Sequence, residues 1–275
     1  MPFLTTGNGS AYYRHWSTPQ PQAIAVLLHG RGEHSGLYHR FAAHLNQRGI
    51  DVWGLDHLGH GHTGGPPESM CDLNRAADTA ARLIAQANAT APGLPVALIG
   101  HSLGGLTAAL TVSTHRPELG CLVLSGTPLR RELGHMATHF PDGPPTMSLD
   151  AAYLDAVEVD PLISREPIDA LTIDRAYIAA LDQLKQSAGT FSLPVLLVNG
   201  EHDEVAPPSV TAQWVQRLPD ARQVVVPGAF HDVLNDVCHH EIADLVADFI
   251  VEHRGLDTEV LGWSGIGRVT PQPLA

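Results

Sequence analysis

Read for the spacing of apolar and polar residues, the chain is a series of short, largely apolar runs, each followed by a stretch with apolar residues three and four apart. Residues 23–28, 50–55, 96–99, 121–124, 194–199 and 223–226 read as strands buried on both faces. Between and after them, 37–48, 72–88, a segment behind Ser102 that ends near 115–117, 209–218 and 235–253 carry helical spacing. In 72–88 the stripe is Leu73, Ala76, Ala77, Ala80, Leu83, Ile84 and Ala87. Residues 1–18 hold two strand-like pieces around Gly7-Asn8-Gly9, an antiparallel hairpin at a sheet edge. Strict alternation of such strands with helices implies an α/β protein: a mostly parallel, twisted sheet of about eight strands with helices on both faces. Functional loops then lie at the carboxyl ends of the strands.

The alternation breaks from 129 to 187. There prolines and acids mix with Met136, Phe140, Met147, Tyr153, Leu154, Val157, Leu162, Ile163, Tyr177, Ile178 and Leu181, which reads as an inserted helical cap. The expected organisation is a core of 1–128 and 188–254, a cap of 129–187, and a Gly/Pro-dotted tail of 255–275.

At 275 residues and 44% hydrophobic content the chain has enough apolar material for one large core. Sixteen basic against twenty-nine acidic side chains leave a net charge of -13, which argues against nucleic acid and anionic membrane surfaces as partners. The opening residues lack a basic start and an apolar core, and no later run is long enough to span a bilayer. A cytoplasmic protein without stable membrane insertion is expected. Cys71, Cys121 and Cys238 are few and lack C-x-x-C spacing, so they read as reduced structural thiols.

Candidate chemistry centres on GHSLG at 100–104, a G-x-S-x-G pentad between an apolar strand and a helix. The pattern alone arises by chance in a glycine-rich chain, but the strand-before, helix-after context is what a nucleophilic serine on a sharp turn needs. Gly100 and Gly104 would let strand and helix pass closely while Ser102 is held in a strained conformation. A serine hydroxyl is a poor nucleophile at neutral pH and needs a base, itself oriented by an acid. In this arrangement the acid follows the serine and the histidine follows the acid. Asp203 lies in the loop after strand 194–199, with Glu201 and Glu204 as competing carboxylates. His231 lies in the loop after the last strand, whereas His239, His240 and His253 fall within the final helix and read as surface residues.

Five segments carry a family resemblance: HGRGEHSGLY at 29–38, GLDHLGHGHTGG at 54–65, GHSLGG at 100–105, NGEHDEVAPP at 199–208 and GAFHDVLND at 228–236. Together they resemble the monoacylglycerol lipase and lysophospholipase branch of the α/β-hydrolase fold, over roughly residues 10–254. Asp160-Pro161-Leu162 is similar to a short cap motif of that branch. The resemblance implies a serine esterase that needs no cofactor and acts on a small-molecule ester, with Ser102, Asp203 and His231 as triad. It implies an oxyanion hole built from the backbone N–H groups of Arg31 and Leu103, with Gly30 and His101 at the substrate site. The Leu103 N–H would open a helix, where amide groups lack intrahelical partners and can point at an anion. His57, His60 and His62 suggest a metal, but no cysteine or acid set completes a ligand shell and the stretch fits the family as a structural loop, so no metal is expected. Glu33 and His34 read as loop-fixing groups, with a site-lining role as the lesser alternative. Arg31 stands where a small or apolar residue is expected, and its side chain is a candidate to line the acyl pocket or meet a substrate carboxylate. The expected substrate is a monoacylglycerol or another small to medium acyl ester. The alternatives are a thioester, lactone or amide, or a non-catalytic ligand-binding role on the same scaffold; a homodimer is left open.

Overall fold

The computed structural model describes residues 2–7, 9–130, 145–166 and 168–253. The expected tail 255–275, the cap positions Met136 and Phe140, and Asn8 of the hairpin turn lie outside these residues. Strands β1 (Phe3–Thr6), β2 (Gly9–Trp16), β3 (Ala23–Leu28), β4 (Ile50–Leu55), β5 (Val96–His101), β6 (Cys121–Ser125), β7 (Val195–Gly200) and β8 (Ala221–Val226) form one sheet in the order β1-β2-β4-β3-β5-β6-β7-β8. The β1–β2 and β2–β4 pairs are antiparallel and all others parallel. The helices are α1 (His39–Gln47), α2 (Leu73–Thr90), α3 (Leu103–His115), α4 (Ala151–Val159), α5 (Ala170–Ser187), α6 (Pro208–Val215) and α7 (His239–Glu252).

The strands are apolar without interruption because the sheet is covered on both sides. In β3, Ala23, Ala25 and Leu27 pack with Phe41 and Leu45 of α1 and with Ile242 and Val246 of α7. Ile24, Val26 and Leu28 turn to the opposite layer, with Leu83 of α2 and Leu106 of α3. The same alternation runs through β5, β6 and β7, as the two-residue period of a strand demands. Each fully buried Leu, Ile or Val in these layers contributes about 1.5–3 kcal/mol.

Between β6 and β7 the alternation is interrupted by α4 and α5. Asp150 and Asp169 cap them, accepting from the N–H of Tyr153 and Thr172. In α4 only Tyr153 is buried, whereas Ile173, Tyr177, Leu181 and Leu184 of α5 join α3 in the main apolar cluster. Residues 147–149 are strapped across the turn before α7: Asp232 N–H donates to the Met147 carbonyl at 2.8 Å and Leu149 N–H to Asp236 Oδ1 at 2.7 Å.

The final helix begins at His239, not at 235. Asn235 and Asp236 form the turn before it, the Asp236 carboxylate accepting from Leu149, Val237 and Ser148. Short polar side chains that satisfy nearby backbone groups compete with helix, and here they win. His239, read as a surface residue, is buried at the start of that helix. No helix of the described residues is long and apolar enough to cross a membrane.

Backbone packs against backbone where β5 becomes α3. A Cβ on Gly100 would stand 2.3 Å from the Gly104 carbonyl oxygen, and one on Gly104 would stand 2.2 Å from the Leu28 carbonyl oxygen. Both obstacles are backbone and cannot step aside. Gly104→Ala is therefore expected to destabilise the fold by about 3 kcal/mol or more, at the upper end of overpacking costs. Urea denaturation measures this, and an unchanged midpoint would show that the packing is looser than described.

Candidate active site

Ser102 occupies the turn between β5 and α3 with φ 51 and ψ -119, a left-handed conformation that strains a residue with a side chain. Its N–H donates to the Ser125 carbonyl at 2.8 Å and its carbonyl accepts from Gly105, which holds the turn to β6 and to its own helix. The side chain is driven out of the sheet toward the loop that carries His231. His231 Nε2 lies 3.0 Å from Ser102 Oγ, and His231 Nδ1 lies 3.0 Å from each oxygen of Asp203. Three side chains from the ends of three strands thus form one hydrogen-bonded line.

Asp203 and His231 are both buried. Burial works to raise the Asp203 pKa, but the His231 charge and hydrogen bond and the Ala206 N–H outweigh it and hold the carboxyl below its ordinary range. Its Oδ1 accepts from the N–H of Val205 at 3.0 Å and of Ala206 at 2.8 Å, so the carboxylate is fixed as well as charged. Burial likewise works to lower the His231 pKa. The charge and hydrogen bond of Asp203, helped by Asp232 and Glu33, prevail, and the imidazole sits above its ordinary value. The competing carboxylates are placed elsewhere: Glu201 and Glu204 are exposed, and Glu201 accepts from the Gly228 N–H.

The loop after β3 lies against the serine. A Cβ on Gly30 would approach Ser102 Cβ to 3.2 Å, so Gly30 forms the wall beside the hydroxyl. Its N–H is taken by Glu33 Oε2 at 2.8 Å, whereas the N–H groups of Arg31 and Leu103 have no acceptor among the described residues. His29 ties this loop to the next: its Nδ1 bonds the Gly30 carbonyl at 2.7 Å and its Nε2 accepts from the His57 N–H at 3.0 Å. Those two bonds assign the tautomer, with the proton on Nδ1. Burial, then the neighbouring His57 and His60, keep His29 well below its ordinary pKa, and burial pushes His57 down to about 3. These imidazoles are therefore neutral packing groups. His62, third of that run, packs against the Tyr12 ring.

Asp56 braces the same region, accepting from Ser35 N–H and His62 N–H at 2.8 Å each. His34 reaches across to Asp160 at 2.9 Å, and Ser164 N–H donates to the Gly32 carbonyl at 2.8 Å, so the Asp160-Pro161-Leu162 stretch is anchored to the serine-facing loop. His101 is placed differently from the expectation that it lines the substrate site. Its ring is buried, 4.9 Å from the His231 ring, because the last position of β5 points into the layer between sheet and loops. Sequence reasoning missed Asp232 and Tyr38, which lie beside His101, and Tyr153, which donates to Asp232. The three cysteines are free, and burial pushes Cys121 up to about 12 and Cys238 to about 11, which favours the protonated thiol at both.

A family model described as serine aminopeptidase, S33 matches residues 19–237. The chain belongs to that family. The monoacylglycerol lipase of Mycolicibacterium smegmatis is 30% identical over 271 residues, covering 91% of this chain and 96% of the relative. Human monoglyceride lipase is 26% identical over 268 residues, covering 89% and 86%. Among solved structures, the monoacylglycerol lipase of Paleococcus ferrophilus superposes with a TM-score of 0.73 at 24% identity, covering 88% of this chain and 99% of that one. A thermostable carboxyl esterase of Bacillus coagulans, in complex with glycerol, gives 0.75 at 21%, covering 91% and 97%. The sheet and these likenesses make the chain a monoacylglycerol lipase-like α/β-hydrolase, as the five sequence segments imply.

Two outcomes follow from this geometry. An imidazole that must be neutral to accept a proton, and whose pKa is raised, gains activity as pH rises through that raised value. The acid limb of kcat/KM is accordingly expected to have its midpoint above 6.5, and a midpoint below it would contradict the pairing with Asp203. Asp203→Asn should lower kcat by about 10⁴ with the fold retained, and a loss under tenfold in steady-state kinetics would assign the orienting role elsewhere.

Proposed function

We propose that this ester hydrolase works through an acyl-enzyme, with Ser102 as nucleophile, His231 as base and Asp203 as the acid that orients it. The observation that carries the reading is the unbroken line from Ser102 Oγ through His231 to Asp203 at 3.0 Å per step. His231 takes the serine proton as Oγ attacks the ester carbonyl, then delivers it to the departing alcohol. It next takes a proton from water, whose oxygen attacks the acyl-enzyme carbonyl, and returns that proton to Ser102 Oγ as the acyl–Oγ bond breaks and the acid leaves. Asp203 holds the Nδ1 proton and stabilises the imidazolium. The free N–H groups of Arg31 and Leu103 serve the carbonyl oxygen as it gains charge, where one such donor is worth about 10² to 10³ in rate. Side chains and water suffice for these steps.

The names of the mycobacterial and human relatives support a monoacylglycerol as substrate; the preference for small to medium acyl esters is part of this proposal. Residues 129–187 are proposed as the cap that selects it, since 160–164 are bonded to the loop bearing Arg31. A pure binding protein on this scaffold has no use for a charged acid aligned behind a base.

A panel of aryl esters, monoacylglycerols, thioesters, lactones and amides, read against Ser102→Ala, tests this. Ester turnover should dominate, fall beyond medium acyl length, and drop by about 10⁴ or more in the variant. Faster amide cleavage would overturn the ester assignment, and rates rising toward long monoacylglycerols would overturn the size preference.

A further inference from the structure

Behind the triad lies a second polar cluster that the proposed steps do not use. Glu33 and Asp232 converge on one nitrogen of His101, Glu33 Oε1 and Asp232 Oδ1 each 3.9 Å from His101 Nε2. All three are buried. Each carboxylate spends one oxygen on fixed donors. Glu33 Oε2 accepts from Tyr38 at 2.6 Å and Gly30 N–H at 2.8 Å, and Asp232 Oδ2 accepts from Tyr153 at 2.7 Å and Asn235 at 3.0 Å. The other oxygen of each is turned toward the imidazole. Asp232 Oδ1 and both ring nitrogens of His101 have no direct partner among the described residues. The 3.9 Å separations are ones that a single bridging water spans.

The cluster touches both halves of the catalytic apparatus. His101 lies against the His231 ring, and Glu33 holds the N–H of Gly30, next to the proposed oxyanion donor of Arg31. We infer that Glu33, His101 and Asp232 are positioning residues: a buried acid–imidazole–acid relay that clamps the base and the oxyanion loop in one register and lends the base negative charge. This rests on His231 being the base. The groups facing His231 are Asp203, Asp232, Glu33 and His101, with Tyr38 and Tyr153 close behind. Burial keeps both tyrosines neutral, their pKa values well above the ordinary one, so the charge that acts on His231 comes from the carboxylates. A role confined to stability would leave the titration of the base alone.

The test is the pH profile of kcat/KM for Asp232→Asn and Glu33→Gln in the full chain with an aryl ester. Each variant keeps an acceptor for the bonded tyrosine and removes the charge. The acid limb should move to lower pH by about half a unit or more, and kcat should fall about tenfold while KM changes less than twofold. Should Asp232→Asn not fold, Glu33→Gln carries the same readout. An acid limb that stays in place overturns the inference. So does loss of wild-type activity on dialysis against a chelator with recovery on adding zinc or calcium, because the three ligand atoms lie within 4.8 Å of one another and would then be a cation site. Failure of the underlying hydrolase reading looks different: Ser102→Ala would remain active.

Discussion

The site depends on a backbone contact closer than any side chain allows. α3 can leave β5 at the angle that strains Ser102 only because Gly104 rests on the Leu28 carbonyl and Gly100 rests on Gly104. Left-handed backbone at a non-glycine residue costs of order 1–3 kcal/mol, and it persists where surrounding packing over-determines it. Here α3 is buried from Leu103 through Val112, so the helix cannot shift to relax the turn. The strain fixes where the hydroxyl points, and the loops after β7 and β8 bring Asp203 and His231 to meet it.

Loops at strand ends are the least constrained part of such a fold, yet these are tied to one another by buried polar groups. His29 joins the loop after β3 to that after β4, Asp56 braces both, and His34 reaches Asp160 between α4 and α5. A buried carboxylate without partners would cost several kcal/mol, whereas one accepting two or three N–H bonds rigidifies its surroundings. The network therefore limits the hydroxyl, the imidazole and the loop bearing Gly30 and Arg31 to a single arrangement. Loss of one tie is felt at the reacting atoms, because tenths of an ångström matter there.

The parts legible in the sequence were those set by local pattern. Strands buried on both faces betray themselves as apolar runs, and each of Ser102, Asp203 and His231 directly follows such a run. Legibility failed where partners are distant in the chain. Asp232 stands beside His231, but nothing local reveals that its carboxylate meets Tyr153, a side chain 79 positions away. The resemblance puts His101 at the substrate site, and only the structure shows that its ring is buried. The start of α7 is hidden for the same reason: the helical spacing of 235–253 says nothing of Leu149 and Ser148, whose bonds to Asp236 hold residues 235–238 in a turn. In the inserted segment, periodicity could not separate α5, which packs into the core, from α4, which is largely exposed.

The central claim is that one strained serine, and no other hydroxyl, is made nucleophilic by its neighbours. The most direct measurement is intact-protein and peptide mass spectrometry after exposure of the native chain to a serine-directed phosphonate. The account predicts a single adduct on the peptide that carries Ser102, absent in His231→Ala. Modification of a different serine, or unimpaired labelling of Ser102 once the imidazole is removed, would contradict it.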